Sequence, residues 1–186
     1  MDETMKQTLR AVFLDRDGVI NRTIARNGVT HPPERLEEFE FLPGVTEAAR
    51  ELEEAGFTLL VATNQPDVAR GKQSREEVEA MNDLVRRTLP VREVWTCYHD
   101  NADSCTCRKP KPGLLTEAAK KWGVDLSKSY MVGDRWSDIV AGQAAGCQTV
   151  LVLTPFSGPE RCQPDRIVRD LPEAADWILS QGGARL

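Results

Sequence analysis

The 186 residues are 40% hydrophobic and 28% charged with 13 Gly and 11 Pro, a balance that excludes disordered and fibrous chains and favours one globular domain spanning 1–186. The formal net charge of −5 at pH 7 argues against a general nucleic-acid binder. The longest apolar runs, 57–62 and 149–153, fall far short of the ~20 residues that cross a bilayer, so no membrane span is expected.

The opening segment, Met1 to Thr8, is polar and lacks the basic flank and apolar core of a secretory signal, which makes the cytoplasm the expected compartment. In that setting the five cysteines are expected as thiols or metal ligands rather than disulfides.

Strand-like runs alternate with helical patterns along the chain, the sign of crossover units building a parallel sheet in an α/β fold. The first strand is read at 11–14 and runs into Asp15-Arg16-Asp17-Gly18. Residues 21–42, with Asn27-Gly28 and Pro32-Pro33, carry turn signals and no long helix, and are read as a flap over one end of the sheet. A helix over 44–55 places Val45, Ala48, Ala49 and Leu52 on one face, with Gly56 to end it. The strand at 57–62 leads into Thr63-Asn64-Gln65, and a helix over 74–88 opens with Ser74 and Glu77 spaced as a capping box. The strand at 93–97 leads into a loop with Cys97, His99, Cys105 and Cys107, then Arg108-Lys109-Pro110-Lys111-Pro112-Gly113. Beyond it come a helix over 114–122, a strand at 129–132 ending in Gly133-Asp134, a helix over 137–145, strands at 149–153 and 166–168, and a helix over 172–180.

Asp15 and Asp17, two residues apart in extended chain, point to the same side. Alone they would be an ordinary solvated turn. Thr63-Asn64-Gln65 and Gly133-Asp134 also follow strands, and the C-terminal edge of a parallel sheet is where ligands bind. Arg108 and Lys109, just before a helix, are placed to receive a phosphate. Asp15, Asp17, Asp134 and Asp138 brought together would repel unless a cation intervened, and oxygen-only ligands suit Mg²⁺. Lys109 would then neutralise remaining phosphate charge, and the Thr63 hydroxyl would donate to it.

The set Asp15-x-Asp17-Gly, Thr63, Lys109 and Gly133-Asp134-x-x-x-Asp138 resembles the four motifs of the haloacid dehalogenase superfamily of phosphatases, over about 12–142. The resemblance implies a Rossmann-like three-layer α/β/α sandwich with a mainly parallel sheet and no separate cap domain. It implies hydrolysis of a phosphomonoester, with Asp15 attacking phosphorus and Asp17 as general acid and then base. It further implies Mg²⁺ held by Asp15, the Asp17 carbonyl and Asp134, oriented by Asp138, and Thr63, Asn64, Arg108 and Lys109 facing the phosphate.

Cys97, His99, Cys105 and Cys107 form two short-spaced ligand pairs that suit tetrahedral Zn²⁺ in a closed, structural site. That loop, directly before Arg108, resembles the zinc-containing branch of the superfamily. The branch implies a small phosphorylated sugar as partner, with removal of the 7-phosphate of D-glycero-D-manno-heptose 1,7-bisphosphate expected from the resemblance of the opening Phe13-Leu14-Asp15-Arg16-Asp17-Gly18-Val19-Ile20-Asn21, of Thr63-Asn64-Gln65 with Ala69-Arg70-Gly71, and of Lys111-Pro112-Gly113. Pro66-Asp67, where Ser-Gly is usual, and the short His99-to-Cys105 gap keep histidinol phosphate or another small metabolite open. A monomer is expected. A phosphoacceptor signalling domain is a second reading, but it has no need of an acid two residues beyond the acceptor. A zinc-organised binding module without activity is a third. Cys147 is read as core and Cys162 carries no functional reading, while His31, next to Pro32-Pro33, is read first as a loop-surface residue and second as a substrate contact from the flap. Trp95, Trp122 and Trp177 are read as core, and Trp136 as the tryptophan able to border the site.

Overall fold

A computed structural model describes residues 8–26 and 29–181; the polar segment 1–7 and the Asn27-Gly28 turn signal lie outside the described residues. Six strands form one parallel sheet in the order β5-β4-β1-β6-β7-β8. They are β1 (Ala11–Leu14), β4 (Thr58–Asn64), β5 (Val91–Cys97), β6 (Tyr130–Gly133), β7 (Gln148–Val152) and β8 (Arg166–Val168). The helices are α1 (Val45–Glu54), α2 (Arg75–Thr88), α3 (Gly113–Trp122), α4 (Trp136–Ala145) and α5 (Leu171–Gln181). A separate antiparallel hairpin joins β2 (Ile24–Arg26) to β3 (Val29–His31).

Period-two alternation assigns the faces of the central strand. Val12 and Leu14 enter one core with Ala48, Leu52 and Ile178, from α1 and α5. Ala11 and Phe13 enter the other with Leu115 and Ala118 of α3 and Met131 of β6. All four β1 residues are fully buried, which is why this strand reads as an unbroken apolar run. Truncating the Phe13 ring to Ala would cost about 3–5 kcal/mol, and the loss would be felt at the strand that presents the aspartates.

The strands and helices lie where the sequence places them, with shifted ends. Phe57 leaves its strand and packs edge-on against Tyr130, whereas pairing with β5 continues through Thr63 and Asn64, so both sit on β4 itself. The Ser74 hydroxyl accepts from the Glu77 N–H at 3.1 Å. The reciprocal half of the expected capping box is not made: the Glu77 carboxylate accepts instead from the Leu36 N–H and pins the flap to α2. Within the flap, the hairpin escapes sequence reading because three-residue strands are too short to show a period. β1, β4 and β6 end together at one edge, and the flap and the loops after β5 and β6 rise around it.

Candidate active site

Backbone close approach decides who can stand at this edge. Gly18 has φ +89°, and a Cβ there would lie 2.4 Å from the Asp134 carboxylate; at Gly133 one would lie 2.1 Å from Asp138 Cβ. Only glycine lets the β1 turn and the β6 end bring Asp134 and Asp138 in against Asp15. The carboxylate oxygens of Asp15, Asp134 and Asp138 lie within 4.8 Å of one another and all three residues are buried.

Lys109 is the cation among them. Its ammonium lies 2.9 Å from Asp15 Oδ1 and 2.6 Å from Asp138 Oδ1, and donates to the Ala62 carbonyl at 2.6 Å. Burial lowers its proton affinity, but the Asp138 and Asp15 charges outweigh that and hold Lys109 above the usual lysine range. Burial, opposed by Lys109 and reinforced by Asp138 and Asp17, pushes Asp15 up to about 6. Burial and the charges of Asp15 and Asp138 push Asp134 well above the carboxylate range. One lysine therefore leaves the cluster short of positive charge. Asp134 Oδ1 is buried with no hydrogen-bond partner. An unpartnered buried carboxylate oxygen beside two further carboxylates fits a hard divalent cation such as Mg²⁺.

Asp17 stands beside the cluster, held from behind. Its Oδ1 accepts from the Asn21 amide at 2.9 Å and its Oδ2 from the Gln65 amide at 2.7 Å, while one Arg16 nitrogen lies 3.3 and 3.2 Å from the two oxygens. The Gln65 amide also donates to Thr63 Oγ1 at 2.9 Å, leaving the Thr63 hydroxyl hydrogen for another acceptor. Asn64 brackets the Lys109 backbone, donating to its carbonyl at 3.0 Å and accepting from its N–H at 3.2 Å. One Asn64 amide hydrogen remains for a ligand. Sequence reasoning gave no role to Asn21 or Gln65, although both stand within the quoted motifs; their burial as polar side chains emerges only in the fold.

Cys97 Sγ lies 3.0 Å from Cys107 Sγ, 3.8 Å from Cys105 Sγ and 3.6 Å from His99 Nδ1. The four donors form one cluster able to hold a metal ion. Burial, with the Cys107 contact, pushes the Cys97 thiol up. Burial acts likewise on Cys105, but the Arg108 N–H at 3.4 Å and the neighbouring thiols outweigh it and hold Cys105 below the usual range. The Arg108 side chain folds back on the same loop, onto Asn101 Oδ1 at 2.8 Å. The loop thus sets where the Arg108 side chain stands, while Lys109 is held by Asn64, Asp15, Asp138 and the Ala62 carbonyl.

Between flap and loops lies a cavity of about 690 Å³, lined by Asp15, Asp17, Lys109, Arg108, Arg135 and His31 among others. The flap brings His31 to the cavity wall, the second of its two expected positions. Arg135 donates to Thr30 Oγ1 at 3.1 Å and ties the hairpin to the β6 loop. Trp136 borders the cavity as expected. Cys147 is buried and Cys162 partly exposed.

The HAD-hydrolase-like family model matches residues 106–174. The D-glycero-β-D-manno-heptose-1,7-bisphosphate 7-phosphatase of Escherichia coli (strain K12) is 38% identical over 189 residues, covering 95% of this chain and 91% of that protein. The enzyme of the same name from Helicobacter pylori is 35% identical, covering 94% and 99%. The crystal structure of D,D-heptose 1,7-bisphosphate phosphatase from B. bronchiseptica, complexed with magnesium and phosphate, superposes with TM-score 0.79 at 32% identity, covering 93% of this chain and 99% of that one.

Proposed function

The chain belongs to the haloacid dehalogenase-like phosphatases, and from that membership we propose that it removes the 7-phosphate of D-glycero-D-manno-heptose 1,7-bisphosphate through a phosphoryl group carried on Asp15. The observation that carries the reading is the meeting of Asp15, Asp17, Lys109, Asp134 and Asp138 at one sheet edge, beneath a cavity large enough for a sugar phosphate. It is supported by end-to-end similarity to enzymes of that name.

The residues divide the chemistry as follows. Asp15 attacks phosphorus and forms the acyl phosphate as the bond to the sugar oxygen breaks. Asp17, protonated, gives its proton to that oxygen. The Asp17 carboxylate then takes a proton from water, which attacks phosphorus and releases inorganic phosphate and free Asp15. Lys109 offsets charge on the transferring phosphoryl group, and Thr63 and Asn64 donate to it. Asp15, Asp134 and the main-chain carbonyl of Asp17 would hold Mg²⁺, with Asp138 as orienting neighbour. Bound there, the ion supplies the positive charge that the three buried carboxylates and the phosphate lack.

Cys97, His99, Cys105 and Cys107 would hold Zn²⁺ with no coordination position left open, a structural site that fixes Arg108 and Lys109. The chain acts as a single domain, and as a monomer in the cytoplasm, with neither nucleic acid nor membrane as partner.

Steady-state turnover of the purified protein with Mg²⁺ tests the substrate. D-glycero-D-manno-heptose 1,7-bisphosphate should be preferred over histidinol phosphate and p-nitrophenyl phosphate, and the product should keep its 1-phosphate. A preference for histidinol phosphate, the alternative raised by Pro66-Asp67 and the short His99-to-Cys105 gap, would overturn the substrate and leave the chemistry standing.

A further inference from the structure

Arg16 stands between the two aspartates of the β1 turn, and the chemistry above gives it no part. It is among the largest fully buried side chains of the described residues, at 0% exposure. One guanidinium nitrogen donates to Asn82 Oδ1 of α2 at 2.9 Å. Another lies 3.3 and 3.2 Å from the two oxygens of Asp17. The third, Nε, is buried without a partner.

A guanidinium with an unsatisfied N–H is an unfavourable way to fill a core, because taking a charge out of water is costly unless it is compensated. An apolar side chain of similar volume would serve packing alone at least as well. Among the described residues, the one carboxylate in its reach is Asp17. The charge therefore has a single beneficiary, and that beneficiary is the proton-transfer group.

The rest of the environment is built for the same end. Asn82 cannot rotate freely, since its amide donates to Thr96 Oγ1 at 3.1 Å and Glu79 Oε1 at 3.2 Å. The Arg16 carbonyl accepts from the N–H groups of Ile20 and Asn21 at 2.8 and 3.1 Å, so its backbone is fixed as well. Asn21 and Gln65 each hold one Asp17 oxygen, whereas the one charged Arg16 nitrogen stands between both oxygens and so fixes the carboxylate about its own axis, with a charge-assisted contact that a neutral amide does not supply.

We infer that Arg16, braced by Asn82, is the positioning residue of Asp17, holding its carboxylate at the angle from which it serves both the leaving oxygen and the attacking water. The inference rests on the acid–base role given to Asp17 above. Asp17 contacts the reacting atoms; Arg16 acts only through it.

Leaving-group dependence distinguishes this from a structural role. A nitrophenolate leaves without a proton, so a misplaced Asp17 spares formation of the acyl phosphate from p-nitrophenyl phosphate and slows its hydrolysis. Arg16→Met should then give a burst of nitrophenol stoichiometric with enzyme, followed by steady-state turnover about 10- to 100-fold below wild type, short of the 10²–10⁴ that losing the acid–base group itself costs. Asp17→Asn should give the same burst, and Arg16→Met combined with Asp17→Asn should be no slower than Asp17→Asn alone. Arg16→Lys should recover part of the rate. Losses that multiply in the double variant, or a slowed rate without a burst, would overturn the inference. Should Arg16→Met not fold, Asn82→Leu decides by the same criteria, with a smaller burst expected. Absence of a burst in Asp17→Asn would instead defeat the role assigned to Asp17, and rejection of the heptose bisphosphate by wild type would defeat only the substrate.

Discussion

Replacing Lys109 by Met removes the one cation that, among the described residues, bridges Asp15 and Asp138, while nearly conserving volume. Its ammonium contacts Asp15, Asp138 and the Ala62 carbonyl and is 3% exposed, so solvent cannot take its place. Breaking a buried pair by removing one partner typically costs about 3–5 kcal/mol, because the remaining charge is left uncompensated. For a chain of this length each kcal/mol moves the melting temperature by about 2–4 °C, which puts the expected drop at roughly 10 °C in chelator. Mg²⁺ should then raise the melting temperature of Lys109→Met more than that of wild type, since the ion meets a more negative site. Differential scanning calorimetry with EDTA and with excess Mg²⁺ reads both effects, and turnover should be lost in either condition. A drop equivalent to under about 1 kcal/mol, or an equal Mg²⁺ response in the two proteins, would refute the charge argument.

Asp15→Asn should abolish turnover and phosphoenzyme, whereas Asp17→Asn should lose about 10²–10⁴-fold in rate; similar residual rates near wild type would remove both roles. The Asp15 carboxyl, raised from 3.8 to about 6 chiefly by burial, holds its proton more tightly folded than unfolded. In metal-free protein it therefore contributes stability below its unfolded value that is lost as pH rises from about 4 to about 6, by up to about 3 kcal/mol. Urea melts of wild type minus Asp15→Asn should show that fall, and Mg²⁺ should abolish it; a difference that rises with pH would contradict the sign. Cys107→Ser should lose zinc by elemental analysis and weaken turnover while the sheet stays folded by circular dichroism; a metal-free variant with full activity would defeat the structural role of the loop.

The parallel sheet was legible because buried strands such as 11–14 are continuous apolar runs between turn signals, and the site because its carboxylates follow those strands. What the sequence concealed is of two kinds. The β2–β3 hairpin is too short for periodicity, so Thr30 reaches the cavity without local warning. The support of Asp17 depends on tertiary proximity: Gln65 lies 48 positions from Asp17, and Asn82 lies 66 from Arg16. No local pattern announces a hydrogen bond across such a separation. Glu77 shows the converse, a residue with the spacing for a local cap whose carboxylate is taken by the distant Leu36 N–H.

A phosphoryl group carried on Asp15 is open to direct chemical trapping. Acid quench during turnover, followed by borohydride reduction, converts an aspartyl phosphate to homoserine, which peptide mass spectrometry locates. Homoserine should appear in place of Asp15 alone, and only when substrate and Mg²⁺ were both present. Finding it in place of Asp17, or finding Asp15 unmodified while phosphate is released, would contradict the account.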